Sequence, residues 1–150
     1  MITFRPVSDA DEPLLYEHQA DPQWAATAQF PSRDREAHLE HWQRIQGNPD
    51  VVNRSVLVDG ELCGSIGSWV DEGRRLVGYG FGRAFWGRGI ASEALRQFVA
   101  DVVTERPLYA YVALSNVGSQ RVLEKAGFVV AEDQPGLAED GVEERLYVLT

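Results

Sequence analysis

The sequence is short of four things, and each shortage removes a class of protein. It holds a single cysteine, Cys63. One thiol cannot build a disulfide framework or a cysteine-based zinc cluster, and its isolation favours a reducing compartment. Positive charge is also scarce: 14 Lys and Arg stand against 23 Asp and Glu, a formal net charge of −9. A nucleic-acid binder normally needs a basic face, so no nucleic-acid partner is expected. Long apolar runs are missing as well. The opening MITFRPVSDADEP has no charged-then-apolar leader pattern, and no stretch approaches the roughly 20 residues that a membrane-spanning helix needs. The expected setting is cytoplasmic, with no membrane partner. Histidine is sparse too, at three. His38 and His41 share a predicted helix without a matching third ligand, so no metal is expected.

What remains is ordinary in bulk. With 150 residues, 44% hydrophobic and 25% charged, the chain suits one globular domain with its own core. Six acids lie between Glu132 and Glu144 with no base among them. Such a run is either a solvated loop or a field that attracts a cationic substrate.

ITFR reads as a short strand, and Ser8-x-x-Asp11 as a capping box opening a helix through about His18. Residues 20–31 read as irregular, with Trp24 and Phe30 as either satellite core or ligand contacts. Ser32 is placed to cap a second helix on which Leu39, Trp42 and Ile45 share a face, with Gly47 ending it. Two strands joined by Asp59-Gly60, a pair that tight hairpin turns prefer, precede a third beyond the turn from Asp71 to Gly73. A helix from about Ile90 to Thr104 carries the apolar stripe of Ala94, Leu95, Phe98 and Val99. A strand at LYAYVAL, a helix from Asn116 to Gly127 and two closing strands complete the order. This order predicts an α/β (α+β) fold, with one central sheet covered by helices.

The stretch GFGRAFWGRGIASEAL, residues 80–95, has the build of a phosphate loop. Backbone N–H groups at a helix start converge on an anion, and glycines let the backbone approach it. Hydrogen bonds to a charged group contribute about 1.5–3 kcal/mol each, more than the 0.3–1 kcal/mol of the helix dipole. A nucleotide-hydrolysing loop would need Lys at Arg88 and a Ser or Thr hydroxyl at Gly89. A dinucleotide loop would follow the first strand of a βαβ unit and be trailed by an acid about 20 residues on. Here three hairpin-linked strands come first, and the next strand ends in Ala113, Leu114, Ser115 and Asn116.

The loop resembles that of the GCN5-related N-acetyltransferases (GNAT), whose signature runs Gln/Arg-x-x-Gly-x-Gly/Ala. Here it reads Trp86-Gly87-Arg88-Gly89-Ile90-Ala91, departing at the first position. Trp at that point is similar to the branch that acetylates N-terminal amines of ribosomal proteins. NVGSQRVLEKAGF, residues 116–128, is similar to the same branch's Asn-x-x-Ser-x-Arg-x-Leu-x-Lys-x-Gly-Phe. The resemblance implies a mixed, mostly antiparallel sheet of seven strands, its fourth and fifth parallel and splayed, with about four helices. It implies acetyl-CoA as cosubstrate, without metal, lying in that splay. The pantetheine arm would pair with the backbone of Phe81, Gly82 and Arg83. Trp86, Gly87, Arg88, Gly89, Ile90, Ala91 and Ser92 would form the diphosphate loop. Monomer and homodimer both stay open.

Many members protonate the leaving thiolate with a tyrosine seven residues after the helix-opening Asn, where this chain has Leu123. The branch proposes a serine at the Ser119 position instead. Ser119 is therefore the candidate acid, Asn116 the candidate grip on pantetheine and Arg121 a candidate phosphate contact. The alternatives are a helix cap for Ser119 and Asn116, and plain solvation for Arg121. Leu76 replaces the Glu that often serves as base, so no base is assigned. Gly78, Gly80 and Gly82 alternate, which bares one face of their strand. Relatives often carry Trp at Gly80, so Gly80 is expected to widen an acceptor channel that Trp24 and Phe30 help to line. The acceptor would be an amine, on a small molecule or a protein N-terminus. A non-catalytic acyl-CoA sensor of the same fold is the alternative, since fold alone does not secure function.

Overall fold

The computed structural model describes residues 1–28, 33–132, 136–137 and 142–150. Strand β1 (Ile2–Pro6) leads to Ser8, whose N–H donates to the Asp11 carboxylate at 3.0 Å. This is the capping interaction that the Ser8-x-x-Asp11 spacing predicts. A 3₁₀ turn (Asp9–Asp11) then runs into helix α1 (Glu12–Ala20).

The segment expected to be irregular holds a helix, α2 (Pro22–Ala28). Asp21 accepts from the Gln23 N–H at 2.9 Å, and Pro22 occupies the first helical position, where its missing N–H is no loss. Helix α3 (Arg35–Gln46) starts later than expected. Asp34, not Ser32, caps it, accepting from the Ala37 N–H at 2.8 Å, and Gly47 ends it. Ser32 and Phe30 lie outside the described residues. The inward face of α3 also differs: Leu39 is 38% exposed, while His38 and Trp42 are buried. His38 can turn inward because its Nδ1 lies 2.8 Å from the Glu12 carboxylate, which also pairs with Arg35. A long-range hydrogen bond has overruled the apolar pattern.

Strands β2 (Val52–Val58) and β3 (Glu61–Asp71) meet at Asp59-Gly60, with φ of 51° and 84°. Both values lie in the left-handed region that a two-residue hairpin turn requires. Strand β4 (Arg74–Phe81) follows, then α4 (Ile90–Asp101), β5 (Leu108–Ala113), α5 (Val117–Lys125) and β6 (Val129–Val130). Helix α4 stops short of the expected Thr104. A two-residue strand, β7 (Gly136–Leu137), pairs with the last strand, β8 (Glu143–Leu149). The sheet order is β1-β2-β3-β4-β5-β8-β6, seven strands with β7 attached to β8 off that path. Among the described residues there are five α-helices, one more than the order of motifs suggested.

The apolar stripe of α4 packs where its periodicity points. Ala94, Leu95 and Phe98 have no exposed surface, and the Phe98 ring meets Phe4 edge-on at 6.2 Å. Burying a ring like Phe98 stabilises the fold by roughly 1.5–3 kcal/mol. That packing anchors the first turn of α4 against the sheet. The same sheet opens beside it. Strands β4 and β5 run parallel and share one registered partner pair, Leu76 with Tyr109. Beyond that pair β4 bonds only to β3, up to Phe81, and β5 only to β8, up to Ala113. The two strands diverge beyond that pair and leave a gap between them.

Candidate active site

The glycine-rich stretch leaves β4 through a 3₁₀ turn (Arg83–Phe85) and enters α4 at Gly89. Gly87 and Gly89 both have φ of 75°, and nothing lies within 4 Å of where a side chain would begin. Gly89 has no side chain with which to cap the helix, and its carbonyl accepts from Glu93 at 3.1 Å. The N–H groups of Ile90, Ala91 and Ser92 precede that first intrahelical bond and face outward from the helix start. An uncapped, open helix N-terminus with an exposed arginine, Arg88, suits an anion such as a diphosphate. The donor set therefore fits the coenzyme.

Other residues of the loop have partners inside the chain. The Trp86 indole N–H donates to the Phe81 carbonyl at 2.9 Å, tying the loop to the end of β4. Arg83 pairs with Asp21 at 3.1 Å, and the Gly82 N–H donates to the Cys63 carbonyl at 3.0 Å. A pantetheine arm would thus meet a Phe81 carbonyl that already accepts one bond, leaving its second lone pair.

A cleft of about 710 Å³ runs from beneath α1 and α3 across β3 and β4 to β5 and the start of α5, and Trp24, Tyr79, Gly80, Asn116 and Ser119 are among the residues that line it. Asn116 caps α5, its Oδ1 accepting from the Ser119 N–H at 3.2 Å. Capping and cleft-lining coincide in this residue. The Ser119 hydroxyl meets a group that sequence reasoning missed, the Tyr79 hydroxyl, at 2.6 Å. Burial pushes the Tyr79 phenol up to about 12, against the opposing effect of that hydrogen bond. Arg121 stands exposed on α5.

The bare face of β4 is roofed by rings. A Cβ on Gly78 would meet the Trp69 ring at 2.7 Å, on Gly80 the Trp24 ring at 3.2 Å, and on Gly82 the His18 ring at 2.7 Å. The room that Gly80 leaves is taken in part by Trp24, so the channel width there rests on that ring. Trp69 and His18 went unread because they sit on β3 and α1, far from the glycines in sequence. The alternation of glycines was the one signal that rings from elsewhere must arrive. His18 also packs edge-on to Phe85, and its Nδ1 is buried without a hydrogen-bond partner. Burial lowers its pKa, so the ring is held neutral.

His41 is lowered further, to about 4, by burial and then by Arg33 and Arg44. His38 is committed to Glu12. Among the described residues no group of three His, Cys, Asp or Glu side chains could hold a metal ion. Nor is any described helix long and apolar enough to cross a membrane.

Comparison with known proteins agrees with this geometry. The family profile for the acetyltransferase (GNAT) domain matches residues 1–129. A Bacillus subtilis protein named "Putative ribosomal N-acetyltransferase YdaF" is 28% identical over 140 residues, covering 87% of this chain and 74% of its own length. Among solved structures, aminoglycoside acetyltransferase AAC(6')-Ib with coenzyme A and kanamycin superposes with a TM-score of 0.82 at 18% identity. That match covers 100% of this chain and 95% of the other. Spermidine N-acetyltransferase from Vibrio cholerae, with CoA and spermine, gives 0.81 at 12% identity, covering 99% and 94%. At these identities the two structures speak to the fold. The family profile spans most of the chain, and with it the loop and the cleft: the protein belongs to the GNAT family of acetyl-CoA-dependent acetyltransferases.

Proposed function

We propose that the protein transfers an acetyl group from acetyl-CoA to a primary amine, by direct attack with both reactants bound. The observation that carries this reading is the placement of the Ser119 hydroxyl in the cleft where β4 and β5 diverge, with β4 leading on through the glycine-rich loop to the uncapped start of α4. Acetyl-CoA supplies the acetyl group as a thioester and departs as a thiolate. Gly87 to Ser92 hold the diphosphate by backbone N–H groups, with Arg88 adding charge. Asn116 orders the first turn of α5, so Ser119 is held where it can give a proton to the leaving sulfur. Rate then comes from holding the reactants in one cleft and from that proton.

The acceptor is a small amine or a protein N-terminus. The similarity to a relative named for ribosomal acetylation supports the second, and the acidic segment near the C-terminal end supports a cationic small amine. Release of free thiol from acetyl-CoA, followed across a panel of amines and N-terminal peptides, tests the reading. Amine-dependent release with at least one acceptor is expected. Tight binding of acetyl-CoA with no turnover on any of them would instead make the protein a sensor.

The Trp24 ring makes a separate expectation. If it walls the acceptor end at Gly80, Trp24→Ala raises kcat/KM for bulky amines about tenfold relative to small ones, the scale at which a pocket reads a few methylenes. Gly80→Trp should do the reverse, since its new side chain competes with Trp24 for one space. Equal changes across acceptor sizes would remove both residues from the acceptor wall.

A further inference from the structure

Leu123 stands where many family members carry a proton-donating tyrosine, yet the fold brings a tyrosine hydroxyl from β4 to the preceding turn of the same helix. Tyr79 reaches from β4 across the splay to α5, where its Oη lies 2.6 Å from Ser119 Oγ. A second approach, to the Ser119 carbonyl oxygen, is longer at 3.4 Å. The Ser119 N–H is held separately by Asn116 Oδ1 at 3.2 Å. Tyr79, Asn116 and Ser119 all line the cleft.

A serine hydroxyl by itself is a free rotor and a weak acid. Two hydroxyls in contact share one donated proton, and the second proton remains available to another acceptor. When Tyr79 donates, the Ser119 proton is the one left over, and the bond stabilises negative charge on Oγ as that proton leaves. We propose that Tyr79 is a positioning residue, whose hydroxyl donates to Ser119 Oγ and so directs the Ser119 proton at the departing sulfur. The inference rests on the reading of Ser119 as the proton donor. In that step a C–N bond forms between amine and acetyl carbon, and the C–S bond breaks. The amine loses a proton to water, the sulfur gains one from Ser119, and Ser119 recovers its own from water. Tyr79 keeps its proton throughout, as a buried phenol held near 12 would.

A bond that only staples α5 to β4 would also lie at 2.6 Å, so the test must separate the two roles. Tyr79→Phe, Ser119→Ala and the double variant are assayed by thiol release, with acetyl-CoA affinity and thermal midpoint measured alongside. Tyr79→Phe is expected to lower kcat about tenfold, the scale of one lost hydrogen bond, with KM for acetyl-CoA within about threefold. Ser119→Ala should cost about a hundredfold, and adding Tyr79→Phe should lower it no further, because both act through one proton. A kcat for Tyr79→Phe within about twofold of the parent, or losses that multiply in the double variant, would overturn the inference. Difluorotyrosine at position 79 guards against misfolding, since it keeps the phenol's size while lowering its pKa. Its kcat should fall as pH rises through that lowered pKa, and a flat profile like the parent's would also overturn the proposal. No turnover by the parent on any acceptor would overturn the acetyl-transfer reading and this inference together. Full turnover by Tyr79→Phe overturns this inference alone.

Discussion

Gly89→Asp is expected to weaken coenzyme A binding by about a hundredfold or more while leaving the protein folded. Gly89 opens α4 without a side chain, and the helix start is buttressed from behind by buried Ile90, Ala94 and Leu95. A carboxylate at position 89 would sit in open space, so no neighbour resists it. It would place negative charge where the diphosphate is proposed to lie, and would compete for the same N–H groups. Losing even one or two hydrogen bonds to a charged group removes about 1.5–3 kcal/mol each, and about 2.7 kcal/mol already corresponds to a hundredfold. Backbone strain is the confounding effect, because φ here is 75°. Gly89→Ala isolates it: the left-handed conformation costs a side chain about 1–2 kcal/mol of stability, with no charge added. Titration calorimetry should therefore find the Asp variant nearly unable to bind and the Ala variant close to the parent in affinity. An Asp variant that binds within threefold of the parent would move the diphosphate elsewhere.

The second large effect lies under α1. Asp11 is buried, accepts from both Arg5 guanidinium nitrogens at 2.7 Å, from Ser55 Oγ at 2.7 Å and from the Ser8 N–H at 3.0 Å. These bonds join β1, β2 and the start of α1. Removing the carboxylate leaves a buried Ser55 hydroxyl without its acceptor, while the half-exposed Arg5 can turn to water, so Asp11→Ala is expected to destabilise the protein by about 1.5–3 kcal/mol. The same contacts, Arg5 first, hold the Asp11 pKa at about 2 rather than 3.8. A depressed folded-state pKa stabilises the fold above the ordinary carboxylate range and ceases to do so as pH falls toward 2. The contribution is on the order of 2 kcal/mol. Glu12, held down by Arg35 and then His38, acts in the same direction. Denaturant melts should show stability falling between about pH 5 and pH 2, with a shallower fall for Asp11→Asn. A parent stability that is level over that window would count against the network. The consequence reaches the cleft, because α1 carries His18 and leads directly to the helix bearing Trp24.

How much of this could be read in advance differs from element to element. The turn and open helix start at Gly87 to Gly89, the stripe of α4 and the helix opened by Asn116 were legible because each is local: spacing along a few turns decides it. Helix α2 was misread although its signal, Asp21-Pro22, was present, because two aromatics drew the reading toward a loop. The inward face of α3 was misassigned because His38 owes its burial to Glu12, 26 residues away. No periodicity reports a partner that distant.

The sequence by itself determined the element order apart from α2 and β7, the family, and a glycine-rich loop of the build that suits a diphosphate. Turn chemistry, apolar periodicity and glycine placement act within a few residues, so a linear reading captures them. Only the tertiary structure decided what stands in the cleft. The Tyr79 contact with Ser119 joins residues 40 apart, and the rings over Gly78, Gly80 and Gly82 come from three different elements. Those pairings come from the β3–β4 register, from the divergence of β4 and β5, and from the helices packed across the sheet. They are properties of three-dimensional packing, which sums contributions from the whole chain.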